Sequence, residues 1–171
     1  MPASSLPRLP RSFDRADLED CGFAGWRTWE SLCATDLAEV PGGPAVYVVY
    51  RPAAGAPVFL DVNPGGHFKE KDPTVPVAQL QASWVATSHV IYIGKADAAR
   101  KRLTEFAKFG AGKKIGHWGG RYTWQLADSA EHLIAWHAIS WGEAAAEYEK
   151  RLFAHFGELH AGARAFANLT G

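Results

Sequence analysis

The sequence predicts a small α/β (α+β) domain in which helices pack against one central sheet. Short β-branched and aromatic runs at Ala45–Tyr50, His89–Ile93 and Leu133–Ile139 have the length and composition of strands. Two longer segments, Ala99–Ala107 and Ala145–Leu159, carry apolar residues at helical spacing. A chain of 171 residues, 47% hydrophobic and 21% charged, has the size and make-up of a single globular domain.

The elements follow in chain order. Met1 to Arg15 holds Pro2, Pro7 and Pro10 but no apolar signal-peptide core, so residues 1–16 are expected to form a flexible arm. The domain then spans 17–171. Phe23 to Leu37 places Trp26, Trp29 and Leu32 at helical spacing, which predicts a short helix, stopped at Pro41-Gly42-Gly43-Pro44. Ala45–Tyr50 is a buried strand, and Val58–Val62 reads as its hairpin partner. An irregular loop follows to about Pro76, with a short helix expected over Val77–Trp84. After the strand ending at Gly94, Asp97 is placed to cap a helix whose buried stripe is Ala99, Leu103, Phe106 and Ala107, with Gly110 at its C-cap. Tyr122–Ala127 and Leu133–Ile139 read as strands, and Ser140-Trp141-Gly142-Glu143 as a capping box opening the last helix.

Several function classes drop out. No apolar run approaches the roughly 20 residues that span a bilayer, so a cytoplasmic protein without a membrane partner is expected. Cys21 and Cys33 lack metal or redox spacing and are expected to be reduced and structural. A net charge of zero argues against coating nucleic acid by bulk attraction. Charge is nonetheless uneven: from Lys95 to Arg121 the cations are Lys95, Arg100, Lys101, Arg102, Lys108, Lys113, Lys114 and Arg121, against Asp97 and Glu105. Such a run is usually a solvated helix face. Here it continues through a Gly-rich loop with His117 and Trp118, which favours an anion-facing surface. Lys101, Lys108, Lys113, Lys114, His117, Trp118 and Arg121 are the nucleic-acid contacts expected from it, with Trp118 a stacking candidate.

The last helix carries the sharpest clue. Ala145, Tyr148, Leu152, Phe156 and Leu159 form one stripe, and Glu149 falls inside it while Glu143, Glu147, Lys150 and Arg151 fall outside. A carboxylate facing a core needs a cation, a tyrosine hydroxyl or a metal. At this point the chain resembles the GIY-YIG nuclease family. Ala45-Val46-Tyr47 stands for the first motif with Ala in place of Gly, and Tyr92-Ile93-Gly94 is the second motif intact, followed by Lys95-Ala96. Arg102 lies at the family's arginine, Glu149-Lys150-Arg151-Leu152-Phe153 resembles its metal-binding helix, and Phe166-Ala167-Asn168 its terminal asparagine.

The likeness covers about Pro44 to Leu169 and departs in two places. Between Tyr47 and Tyr92 lie 44 residues, so the family's tight hairpin is interrupted by an insertion at about 51–88; Asn168 also lies farther from Glu149 than is usual. The resemblance implies a mixed, largely antiparallel central sheet flanked by helices, and a metal-dependent endonuclease acting on DNA, with RNA second. It implies Glu149 as ligand to one Mg2+, with Mn2+ able to substitute, and Arg102 gripping the phosphate. Tyr47 would be general base and Tyr92 would position water or phosphate, or the reverse. Lys95 would lower the base's pKa, and Asn168 would bond phosphate or orient a side chain. The rival expectation is an inactive module on the same fold that binds nucleic acid or protein. A protein partner for targeting fits either.

Overall fold

A computed structural model describes residues 6–169. Its elements are α1 (Arg15–Asp20), β1 (Ala24–Arg27), α2 (Trp29–Cys33), β2 (Ala45–Tyr50), α3 (Val77–Ser83), β3 (Val90–Ala96), α4 (Ala99–Gly110), α5 (Arg121–Trp124), β4 (Leu133–Ala138) and α6 (Gly142–Leu159). The four strands form one antiparallel sheet in the order β1-β4-β2-β3, flanked by the helices.

Strand β2 is central and buried on both sides, which is why it reads as an unbroken apolar run rather than an alternating one. Its period-two geometry sends Ala45, Tyr47 and Val49 into a cluster with Leu103 and Phe106 of α4, together with Trp29 and Trp124. Val46 and Val48 enter the opposite cluster, with Ala145, Tyr148, Leu152 and Phe156 of α6. The two motif strands pair directly, with Tyr47 opposite Gly94 and Val46 opposite Lys95. The intervening segment therefore adds no strand between them.

Several expectations are corrected. Phe23–Leu37 is not one helix: Gly25 and Trp26 have φ of 100° and 57°, which breaks it into β1 and α2. Gly25 lies against the Trp136 indole, where a side chain would collide. Val58–Val62 does not pair with β2, both of whose edges are taken by β3 and β4; Phe59 instead bridges Leu126. Tyr122–Ala127 is mostly the helical turn α5. Neither Asp97 nor Ser140 caps a helix: the N-caps are Ala98 and Trp141, without side-chain bonds. Gly110 is the last residue of α4, packed beneath Trp124, and the left-handed turn falls at Gly112, φ 89°. Leu159 is 44% exposed and Cys33 is exposed, so neither belongs to the core; Cys21 is buried, and both thiols are free.

The arm is corrected as well. Residues 1–5 lie outside those described, but 6–16 pack onto α6. Phe13 is buried against Phe156, the Tyr148 hydroxyl donates to the Arg8 carbonyl at 3.0 Å, and His155 Nε2 donates to the Pro10 carbonyl at 2.6 Å. Among the described residues no helix is long and apolar enough to cross a membrane.

Candidate active site

The site grows from the β2–β3 ladder. Tyr47 and Tyr92 stand on the same sheet face, rings stacked at 6.0 Å between centroids. Gly94 makes this possible. A Cβ there would lie 2.6 Å from Tyr47 Cζ, 2.7 Å from its hydroxyl and 2.9 Å from Tyr92 Cε1. The glycine of Tyr92-Ile93-Gly94 is therefore a steric requirement of the opposed tyrosine. Tyr92 in turn meets Phe106 of α4 edge-on at 5.5 Å.

Arg102 arrives from α4, partly exposed beside this pair. Its Nη1 donates to Glu105 at 3.2 Å and to the Gly116 carbonyl at 3.1 Å. Both anchors use one nitrogen, which leaves Nε and Nη2 of the planar fork for an anion. Arg102 from α4 and Glu149 from α6, helices packed on opposite faces of the sheet, both act electrostatically on Tyr47 and on Tyr92.

The two phenols differ. Tyr47 is 1% exposed, and burial pushes its pKa well above the ordinary value. Tyr92 is also raised by burial, but less sealed. Interaction between the two hydroxyls raises Tyr47 further and lowers Tyr92, and Arg102 lowers both. Of the two, Tyr92 releases its proton more readily.

Glu149 is half-buried on α6. Burial raises its pKa, opposed by the Lys95 ammonium and then by the Lys95 backbone N–H. Lys95 therefore faces Glu149. Asn168 lies on the outer edge of β3. Its Oδ1 accepts the Ile93 N–H at 2.9 Å and its Nδ2 donates to the Ile93 carbonyl at 2.8 Å, while Ala167 N–H bonds the Ile91 carbonyl at 2.8 Å. The asparagine closes the free edge of the strand that carries Tyr92, a positioning role rather than a phosphate contact. Clefts of about 370 Å³ and 390 Å³ flank it, the first lined also by Lys150 and Phe153.

Among the expected nucleic-acid contacts, Lys101, Lys108, Lys113 and Lys114 are exposed, while Trp118 and Arg121 are partly buried. His117 is fully enclosed and cannot touch a nucleic acid. It lies 4.0 Å from the Phe106 ring, both ring nitrogens lack a hydrogen-bond partner among the described residues, and burial, then Arg102, pull its pKa down to about 3. The Trp118 indole already has the Arg121 guanidinium over it at 4.6 Å and the Lys71 ammonium at 6.0 Å. Lys69 and Lys71, and the Gly116 carbonyl that steadies Arg102, lie outside the sequence-derived site. Only a charge count that joined the inserted loop to the basic run could have pointed to the lysines.

The chain matches no protein-family model, and no curated protein or solved structure matches it. The likeness to GIY-YIG nucleases rests on the sequence motifs alone.

Proposed function

We propose that this chain is a metal-dependent endonuclease that hydrolyses phosphodiester bonds in DNA, with RNA the second substrate. The observation that carries the reading is the electrostatic coupling of Tyr47, Tyr92, Arg102 and Glu149 from β2, β3, α4 and α6, with a carboxylate and two phenols held at raised pKa. The donor set suits one hard cation. Among the described residues no group of three or more His, Cys, Asp or Glu is gathered, and a single carboxylate suffices for Mg2+ that keeps most of its water, or for Mn2+.

Glu149 would hold that ion, which when bound supplies positive charge against the negative charge developing on the phosphoryl oxygens. Arg102 binds the scissile phosphate through its two free donor nitrogens. Tyr92, as the phenolate that the Tyr47 hydroxyl and Arg102 favour, takes the proton of the attacking water at its Oη and becomes the neutral phenol. This reverses the first assignment of the tyrosines. Lys95 keeps Glu149 ionised, and Asn168 holds the β3 edge in register.

The test uses supercoiled plasmid and a labelled RNA, with Mg2+, Mn2+ or EDTA. Metal-dependent nicking that is lost in Glu149→Ala and kept in Glu147→Ala is expected, since Glu147 points to solvent. Equal loss in both variants overturns the assignment of the ligand.

One observation favours the rival, a non-catalytic binding module: Tyr47 is sealed in the core, as a structural tyrosine would be. That reading requires a protein that binds nucleic acid yet cuts neither polymer with either metal.

A further inference from the structure

The inserted segment is stapled beside the site. Asn63, 3% exposed, accepts the Gly65 N–H at 2.8 Å and donates to the Arg121 carbonyl at 2.8 Å. Gln125, fully buried, accepts the Val75 N–H at 2.9 Å and donates to the carbonyls of Val75 and Leu60. The Gly66 N–H bonds the Phe109 carbonyl at 2.9 Å, and any side chain at Gly66 would strike the Lys113 backbone. The Phe68 ring lies against Gly116. Residues 67–72 are thereby fixed next to 113–121.

Two lysines of the insertion thus meet a basic run far away in sequence. Lys69, Lys71, Lys113 and Lys114 are exposed, and Arg121 joins them, against Glu70 and Asp72. Lys71 and Arg121 share the Trp118 ring, and Lys114 lies 3.4 Å from Glu70 across the two loops. Between the two lysines the backbone turns through consecutive left-handed residues, Lys69 at φ 53° and Glu70 at φ 60°. That conformation is uncommon for side-chain-bearing residues and persists only where the surroundings hold it. The facing 113–121 loop supplies the Gly116 carbonyl that anchors Arg102, so this basic face is continuous with the phosphate-gripping residue.

The geometry points to a phosphate-binding wall made by Lys69 and Lys71 of the insertion with Lys113, Lys114 and Arg121, which takes the backbone of double-stranded DNA beside the cleavage site. This rests on the endonuclease reading for its ligand. Duplex is favoured over single strand because the Trp118 ring, the stacking candidate at this face, already has the Arg121 guanidinium over it at 4.6 Å. Lysines acting as point charges position the duplex without reading its sequence.

Binding of the full chain to a labelled duplex, in EDTA over a range of salt, tests this. Removing two contacts in Lys69→Gln/Lys71→Gln should reduce the slope of log K against log salt by about 1.8 and weaken binding at least about tenfold near 0.1 M salt. Arg11→Gln, an exposed cation of the N-terminal segment, should change neither. Trp118→Leu should leave the preference for duplex over single strand in place. A slope untouched by the double substitution, or lowered equally by Arg11→Gln, overturns the wall while leaving the endonuclease reading standing. Single-strand binding that depends on Trp118 overturns it too. A wild-type chain that cuts and binds no DNA sinks both.

Discussion

Two polar clusters in this molecule are built to opposite rules. Around the insertion, Arg51, Asp128 and His132 form a network closed but for His132 Nδ1, which lacks a partner among the described residues: Arg51 Nε meets Asp128 at 2.6 Å, and His132 Nε2 meets the other carboxylate oxygen at 3.1 Å. Bonds from His132 and then Arg51 hold the Asp128 carboxyl down at about 2. Asn63 and Gln125 are likewise fully used. At the candidate site, Tyr47, Tyr92 and Glu149 are raised by burial, and among the described residues His117 has no partner for either ring nitrogen. The first cluster holds the fold together, since satisfied buried groups stabilise. The second keeps charges undercompensated, the condition in which a ligand or proton has something to gain.

The comparison is broken most severely at Glu149. Replacement by Gln should abolish metal-dependent cleavage yet raise the melting temperature at pH 8. A carboxyl raised in the folded state binds its proton more tightly there, so stability falls as pH rises through the unfolded value of 4.5 and beyond. A Gln variant that is less stable at pH 8 would show the carboxylate to be structural.

Tyr92→Phe should lower turnover by roughly the 10²–10⁴-fold of a lost general base. Tyr47→Phe should lower it less and move the rising limb of the pH–rate profile to higher pH, because the hydroxyl that eases the Tyr92 proton off is gone. Equal losses with an unmoved limb would return the base to Tyr47. On the satisfied side, Asp128→Ala leaves the Arg51 guanidinium, 6% exposed, without its partner. A loss of about 3 kcal/mol in urea unfolding is expected, with activity per folded molecule unchanged.

The smallest effect separates the clusters by pH. The folded pKa of Asp128 is depressed, so its contribution is present above the unfolded 3.8 and lost as pH falls toward about 2. His117 is depressed as well, to about 3, so the unfolded state binds its proton first and stability declines from pH 6.5 downward. His117→Phe should flatten that decline between pH 6.5 and 4, by up to about 1.4 kcal/mol per pH unit, whereas Asp128→Asn changes the pH slope only below about pH 4. An unchanged acid limb in His117→Phe would mean that the ring finds a partner when the chain is in solution.

Local pattern was enough for the elements whose stabilising contacts are periodic. β2, β4, α4 and α6 are legible because a buried strand needs an apolar run and a packed helix an apolar stripe, and Glu149 stood out as the acid that breaks one. Elements held by single close contacts were not legible. β1 depends on Gly25 meeting Trp136, the turn α5 takes the place of an expected strand, and the helix starts lack the caps their sequences offered.

What the sequence by itself determined is the identity and order of the candidate site residues, and which strands and helices carry them, because composition and period act over a few neighbouring residues. Tertiary structure alone decided that Tyr47 is sealed while Tyr92 is less so, that Lys95 faces Glu149, that Asn168 is spent on the β3 edge, and that Lys69 and Lys71 stand beside Trp118. Each of these depends on groups brought together across tens of residues, where burial and distance set the pKa and the hydrogen-bond partner, and no local spacing encodes either.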